Sequence, residues 1–131
     1  MLDTSVLIAS ESGRPLDLEN LPDEVFVCVI TIAELQAGVL AAPDTVTRSR
    51  RLATLDSISV LEPLPVDAAA AAHWATLRVR LAEEKQRIGV NDLWIAACCL
   101  IHGLPLVTNN LSDFHTIAGE FADLRLVHPD L

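Results

Sequence analysis

The sequence predicts an α/β domain in which helices cover both faces of a central parallel sheet, and three observations carry that prediction. Short apolar or β-branched runs alternate with stretches of helical periodicity along the chain, the order that places helices between parallel strands. Val25 to Ile30 (Val-Phe-Val-Cys-Val-Ile) is an unbroken apolar run, as expected of a strand covered on both faces. Leu93 to Ile101 is apolar on nearly every side of a helix, as expected of one buried over most of its surface.

Each element has its own signal. Met1 to Asp3 reads as the tail of a short strand, and Thr4 to Ser10 as a helix with Asp3 as its cap. Glu11 to Asp23, holding Gly13, Pro15 and Pro22, reads as a loop with room for a short helix. After the strand at Val25 to Ile30, a helix is expected over Thr31 to Ala41. Pro43 breaks the chain before a helix from Thr45 to Asp56 that carries Arg48, Arg50 and Arg51. Ser59 to Leu61 is expected as a strand ahead of Pro63 and Pro65.

The longest helix is expected from Asp67 to Gln86. Ala70, Trp74, Leu77 and Leu81 form its apolar stripe, Arg78, Arg80, Glu83 and Glu84 face solvent, and Gly89 closes it. The next helix begins at Asn91 or Asp92 and ends at Gly103. Pro105 leads into a short buried strand, Leu106 and Val107, which empties into a polar turn with Thr108, Asn110 and Asp113. A short helix over Phe114 to Phe121 and a last strand over Leu124 to Val127 complete the chain.

At 131 residues and 51% hydrophobic content, the chain suits a single domain, residues 1–131, that buries roughly two-thirds of its unfolded surface. The run from Leu93 to Ile101 is far short of the ~20 residues needed to cross a bilayer. Neither a basic leader nor a cleavage site precedes Leu2 and Asp3, so a cytoplasmic location is expected. Cys28, Cys98 and Cys99 are odd in number, lie in apolar runs and lack metal-site spacing, which makes them buried small hydrophobes. The net charge of −9, with Lys85 as the one lysine, argues against a protein that coats nucleic acid and favours a basic protein partner.

Four acids stand out: Asp3, Glu34, Asp92 and Asp113. Singly, each has an ordinary structural explanation. Asp3 caps a helix, Glu34 completes a capping box with Thr31, and Asp92 and Asp113 follow the possible caps Asn91 and Ser112 at the positive ends of their helices. Together they say more, because all four fall where a strand has ended and a helix begins. In a parallel α/β sheet those junctions share the edge at the carboxyl ends of the strands, where ligands bind. Converging carboxylates repel until one takes a proton or a cation neutralises them, and an oxygen-only donor set suits Mg²⁺ or Mn²⁺. Thr4, Ser5, Thr108 and Asn110 supply neutral polar groups beside the acids, to orient them or simply to serve turns and caps.

Leu-Asp-Thr-Ser-Val-Leu-Ile at 2 to 8, Ile-Thr-Ile-Ala-Glu-Leu-Gln-Ala-Gly at 30 to 38, Asn-Asp-Leu-Trp-Ile-Ala-Ala at 91 to 97 and Leu-Val-Thr-Asn-Asn-Leu-Ser-Asp-Phe at 106 to 114 resemble the successive motifs of PIN-domain ribonucleases. They resemble most closely those of the VapC toxins of bacterial toxin–antitoxin pairs. The resemblance implies a three-layer α/β/α sandwich with a central parallel sheet and an acidic Mg²⁺ or Mn²⁺ site. Asp3, Glu34 and Asp92 match its core acids, and Asp113 the fourth. It further implies an RNA substrate such as transfer RNA, a cognate antitoxin that blocks the site, DNA contact only through that antitoxin, and a homodimer or a heterotetramer or larger assembly with it. Two departures stand against the pattern. Asn110 occupies a position where many relatives carry aspartate, so Asn110 competes with Asp113 for the fourth place, and the first strand is very short.

The mechanism so implied is hydrolysis of an RNA phosphodiester by a metal-activated water, with no side-chain nucleophile. A phosphoacceptor domain would need paired acids after the first strand and a lysine near a late strand end, and a phosphohydrolase with an aspartate nucleophile would need an acid where Ser5 stands. The remaining rival is a catalytically silent PIN-like binding module acting through a protein partner. Arg48, Arg50 and Arg51 read first as a solvated helix face and second as an RNA-backbone contact. His73, His102, His115 and His128 read as structural or surface residues, and Trp74 and Trp94 as core.

Overall fold

A computed structural model of the chain describes residues 1–11, 24–120 and 123–129. Among these residues, six helices and two short strands follow in the order α1 (Thr4–Glu11), α2 (Val29–Leu40), α3 (Thr45–Ser57), α4 (Ala68–Glu83), α5 (Val90–His102), β1 (Leu106–Val107), α6 (Leu111–Glu120) and β2 (Leu126–Val127). Most of the loop expected over Glu11 to Asp23 lies outside the described residues.

The sheet is small and parallel. β1 pairs with β2 in the register Leu106 to Leu126 and Val107 to Val127. Single parallel bridges join Leu2 to Val107 and Cys28 to Leu64, and the Leu2 amide donates to the Phe26 carbonyl at 2.8 Å. The extended segments thus run across the molecule from Leu64 through Phe26–Cys28 and Leu2 to Val107 and Val127.

Successive residues of an extended segment point to opposite faces, and here that alternation feeds two cores. Met1, Cys28 and Leu106 enter one cluster with Leu77, Leu81, Leu93, Ile95 and Phe114 from α4, α5 and α6. Leu2, Val27 and Val107 enter a second with Val6, Leu7 and Leu35 from α1 and α2 and with Ile58 just after α3. The sheet is therefore the middle layer of an α/β/α sandwich. The helix expected to be buried on most sides is so: Leu93, Ile95, Ala96, Ala97, Cys98 and Cys99 of α5 are all buried, and the three cysteines are free and buried.

Several boundaries differ from the sequence expectation, each for a physical reason. The run from Val25 to Ile30 is divided rather than wholly extended: Cys28, at φ −87° and ψ 150°, caps α2, and its sulfur accepts from the Ile30 amide at 3.5 Å. Val29 and Ile30 therefore start the helix. Thr31 then lies inside the first turn, where its amide donates to the Cys28 carbonyl at 3.0 Å, so it cannot be the capping residue of a box with Glu34.

Ser59 to Leu61 forms turns instead of a strand. The extended contact falls at Leu64, whose amide donates to Val27 and whose carbonyl accepts from Val29, between two prolines that have no amide to contribute. Gly89 does not close α4. That helix ends at Glu83, the chain turns through Lys85 at a φ of 58°, and Gly89 is the cap of α5. Gly103 ends α5 as expected, at a φ of 61°. Trp74 and Trp94 are half-buried rather than core, stacked on each other with centroids 4.9 Å apart.

Asp67 precedes α4 as its cap, with Oδ1 accepting from the Ala70 amide at 3.0 Å. Replacing Asp67 with alanine leaves that amide without its partner and is expected to cost about 1 kcal/mol. A thermal melt should fall by roughly 3–6 °C.

Candidate active site

The four acids arrive on separate elements. Asp3 sits between the Leu2 bridge and α1, Glu34 lies in the second turn of α2, Asp92 in the first turn of α5 and Asp113 in the first turn of α6. Asp3 is buried at 3% exposure, and the other three are half-buried. Burial first, then repulsion from Asp3, Glu34 and Asp113 in that order, pushes the Asp92 carboxyl up to about 6, against a lowering hydrogen bond from Asn110. The acids thus share one electrostatic neighbourhood, but not all by the expected route: Asp92 opens a helix that follows α4 rather than a strand.

Neutral donors hold the carboxylates in place. Oδ2 of Asp3 accepts from Ser5 Oγ at 2.6 Å and from Thr108 Oγ1 at 2.8 Å. The backbone tightens this corner, since the Asp3 amide donates to the Val107 carbonyl at 2.9 Å and the Asn109 amide to Ser5 Oγ at 3.1 Å. Thr4 Oγ1 lies 2.7 Å from Glu34 Oε1 and 3.1 Å from Thr31 Oγ1. A carboxylate only accepts, so the single Thr4 proton points to Glu34. The Asn110 amide nitrogen donates to Asp92 Oδ2 and to Asp113 Oδ2, each at 3.2 Å. Its two hydrogens serve one carboxylate apiece.

All of Thr4, Ser5, Thr108 and Asn110 therefore touch an acid. Asn110 stands between Asp113 and Asp92 and joins them through its amide. Sequence reasoning missed Thr31 and Asn109 as members of the network. Thr31 was legible only as half of a capping box, and Asn109, which donates its side-chain amide to the Ser5 carbonyl at 3.3 Å, carries no signal beyond its place in a polar turn. His102 lies in the last turn of α5, at the opposite end from Asp92.

As they stand, the carboxylates are engaged by hydroxyls and an amide. Among the described residues, no three histidine, cysteine, aspartate or glutamate side chains are grouped tightly enough to hold an ion in this conformation. The donor chemistry nevertheless fits a hard divalent cation, because the set is all oxygen and the other three acids add their repulsion to the burial that raises the proton affinity of Asp92.

The PIN-domain family matches residues 1–120. The chain is 52% identical over 119 residues to Ribonuclease VapC5 of Mycobacterium tuberculosis, covering 91% of this chain and 87% of that relative. It is 32% identical over 124 residues to the tRNA(fMet)-specific endonuclease VapC of Shigella flexneri, covering 91% and 92%. Among solved structures it is similar to VapBC-5 of M. tuberculosis, a member of the VapBC family of toxin–antitoxin systems, with a TM-score of 0.84, 46% identity and coverage of 97% and 95%. Alike in its motifs, its layered fold and its clustered acids, the chain belongs to the PIN-domain family and, within it, to the VapC group.

Proposed function

We propose that this chain is the endoribonuclease toxin of a toxin–antitoxin pair and that it hydrolyses RNA phosphodiesters, with transfer RNA or another structured RNA as substrate. The observation that carries this reading is the set of four acids brought from separate elements into one hydrogen-bonded network, Asp3 held by Ser5 and Thr108, Glu34 by Thr4, and Asp92 joined to Asp113 by Asn110. The printed activities of the relatives, a ribonuclease and a tRNA-specific endonuclease, agree with it.

Asp3, Glu34, Asp92 and Asp113 would hold Mg²⁺, with Mn²⁺ as the alternative. Such an ion supplies, when bound, positive charge toward the phosphate oxygens and a water of lowered pKa. The chain's own groups do the positioning. Ser5 and Thr108 fix Asp3 through Oδ2, Thr4 fixes Glu34 through Oε1, and Asn110 keeps Asp92 and Asp113 at one mutual setting. These contacts fix the carboxylates relative to one another, and binding an ion would draw them closer together than they stand here.

The same reading takes residues 1–131 as one PIN domain, places it in the cytoplasm and gives it a cognate antitoxin. The toxin would act as a homodimer, and as a heterotetramer or larger with that antitoxin. No helix among the described residues is long and apolar enough to cross a membrane.

The test is cleavage of bulk transfer RNA by the purified chain, with the 5′ ends of the products mapped by sequencing. Cleavage at defined positions, lost on chelation and restored by Mg²⁺, is the expected result. An intact RNA pool at every metal concentration would leave the silent binding module as the surviving reading.

A further inference from the structure

The three arginines of α3 read alike in the sequence but differ in the fold. Arg48 and Arg50 are exposed, whereas Arg51 is half-buried. Its Nη1 donates to the Gly38 carbonyl of α2 at 2.6 Å, and the guanidinium borders a cavity of about 190 Å³ lined by Ile8, Glu11, Glu34, Leu35, Gly38 and Arg51. Glu34 belongs to the acidic site, so this cavity opens beside it. A space of this size admits a phosphodiester group.

An acidic site on a chain of net charge −9 repels the polyanion it is proposed to cut. A cation next to the acids offsets that repulsion where it matters, and Arg51 is the one basic residue on the cavity wall among the described residues. One of its five N–H donors is committed to Gly38, which anchors the planar head and leaves four donors suited to phosphate oxygens. Anchoring also lowers the ordering cost that a free surface side chain would bear.

Resting on the ribonuclease reading, we propose that Arg51 binds a backbone phosphate of the RNA beside the carboxylate site and is its principal phosphate contact on this side. Arg48 and Arg50, on the same helix but outside the cavity, contribute little.

The experiment measures anisotropy of a fluorescein-labelled single-stranded oligouridylate bound to the full chain carrying Asp92→Asn, so that the probe stays intact. Adding Arg51→Gln, which keeps a donor for Gly38 but removes the charge, is expected to weaken Kd about tenfold and to flatten the salt dependence by about 0.7 in log K against log salt. Arg51→Lys should retain the salt slope while losing part of the affinity, and Arg48→Ala or Arg50→Ala should stay within about twofold of the parent.

Unchanged affinity in Arg51→Gln, or equal losses from Arg48→Ala and Arg50→Ala, overturns the inference. Melting curves on each variant show whether a loss of affinity comes from unfolding, and Arg51→Lys, which keeps a donor and the charge, reads the proposal if Arg51→Gln unfolds. If the chain with Asp92 intact cuts no RNA with Mg²⁺, the ribonuclease reading fails. If it cuts RNA and Arg51→Gln binds normally, only this assignment does.

Discussion

Asp92→Asn is expected to lower RNA cleavage by on the order of a thousandfold, beyond the 10–100-fold typical of groups that only orient a metal ligand. Asparagine keeps the size of the side chain but gives up the charge that a divalent ion needs. Steady-state cleavage of a labelled RNA at saturating Mg²⁺ measures the loss, and a variant with full activity would remove Asp92 from the reaction.

The same substitution should act in the opposite sense on the metal-free fold. A carboxyl moved from 3.8 to about 6 is a group that the folded state would rather keep protonated. Between those values the folded chain holds more protons than the unfolded one, so stability falls as pH rises through that window and stays lower above it. With Asp92 half-exposed and screened, the cost of its charge at neutral pH is on the order of 1 kcal/mol. Asp92→Asn should recover that amount at pH 7 and gain nothing near pH 3.5. Melts of parent and variant at the two pH values in chelator provide the comparison, and a variant advantage at low pH would contradict the assigned cause.

Asn110→Asp is expected to destabilise the metal-free protein by about 2 kcal/mol at neutral pH and to make much of that loss recoverable by divalent cation. The Asn110 amide now donates to Asp92 and Asp113 at 3.2 Å each. An aspartate there gives up both bonds and puts a further negative charge between two carboxylates, one of which already resists ionisation. The Asp92 carboxyl should move further upward, which carbon-detected NMR of the side chain would report. Chelator and Mg²⁺ melts would give the stability. A variant as stable as the parent without metal would mean that the two donated bonds contribute nothing.

The legible parts of the molecule were those dictated by local chemistry or by long apolar patterns. α5 announced itself through nine consecutive apolar residues from Leu93 to Ile101, and Gly103 marked its end because few other residues accept a φ of 61°. The acids were legible as a set from their motifs, although only Asp3 and Asp113 stand where an extended segment gives way directly to a helix; Glu34 lies in the second turn of α2, and Asp92 opens α5 after α4 rather than after a strand.

What was not legible depended on partners distant in sequence. Nothing local tells that Val29 and Ile30 leave the extended run to open α2, since β-branched residues suit either state when buried on all sides. Leu64 becomes the sheet contact only because Val27 and Val29 lie alongside it. Asn110 looked like a competitor of Asp113, and its bridging role needs both carboxylates in position. Arg51 was inseparable from Arg48 and Arg50 until α2 supplied the Gly38 carbonyl.

The Asp3 carboxylate takes a hydrogen bond from Thr108, 105 residues away, and Ser5 meets the same threonine across 103. Contacts of such sequence separation require closure of nearly the whole chain, the slow part of folding for topologies rich in non-local pairs. A chain emerging from the ribosome N-terminus first, at about 5–20 residues per second, carries Asp3 and Glu34 into solution many seconds before their counterparts exist. The corner that holds Asp3 is therefore completed late, only when the last third of the sequence closes onto the first.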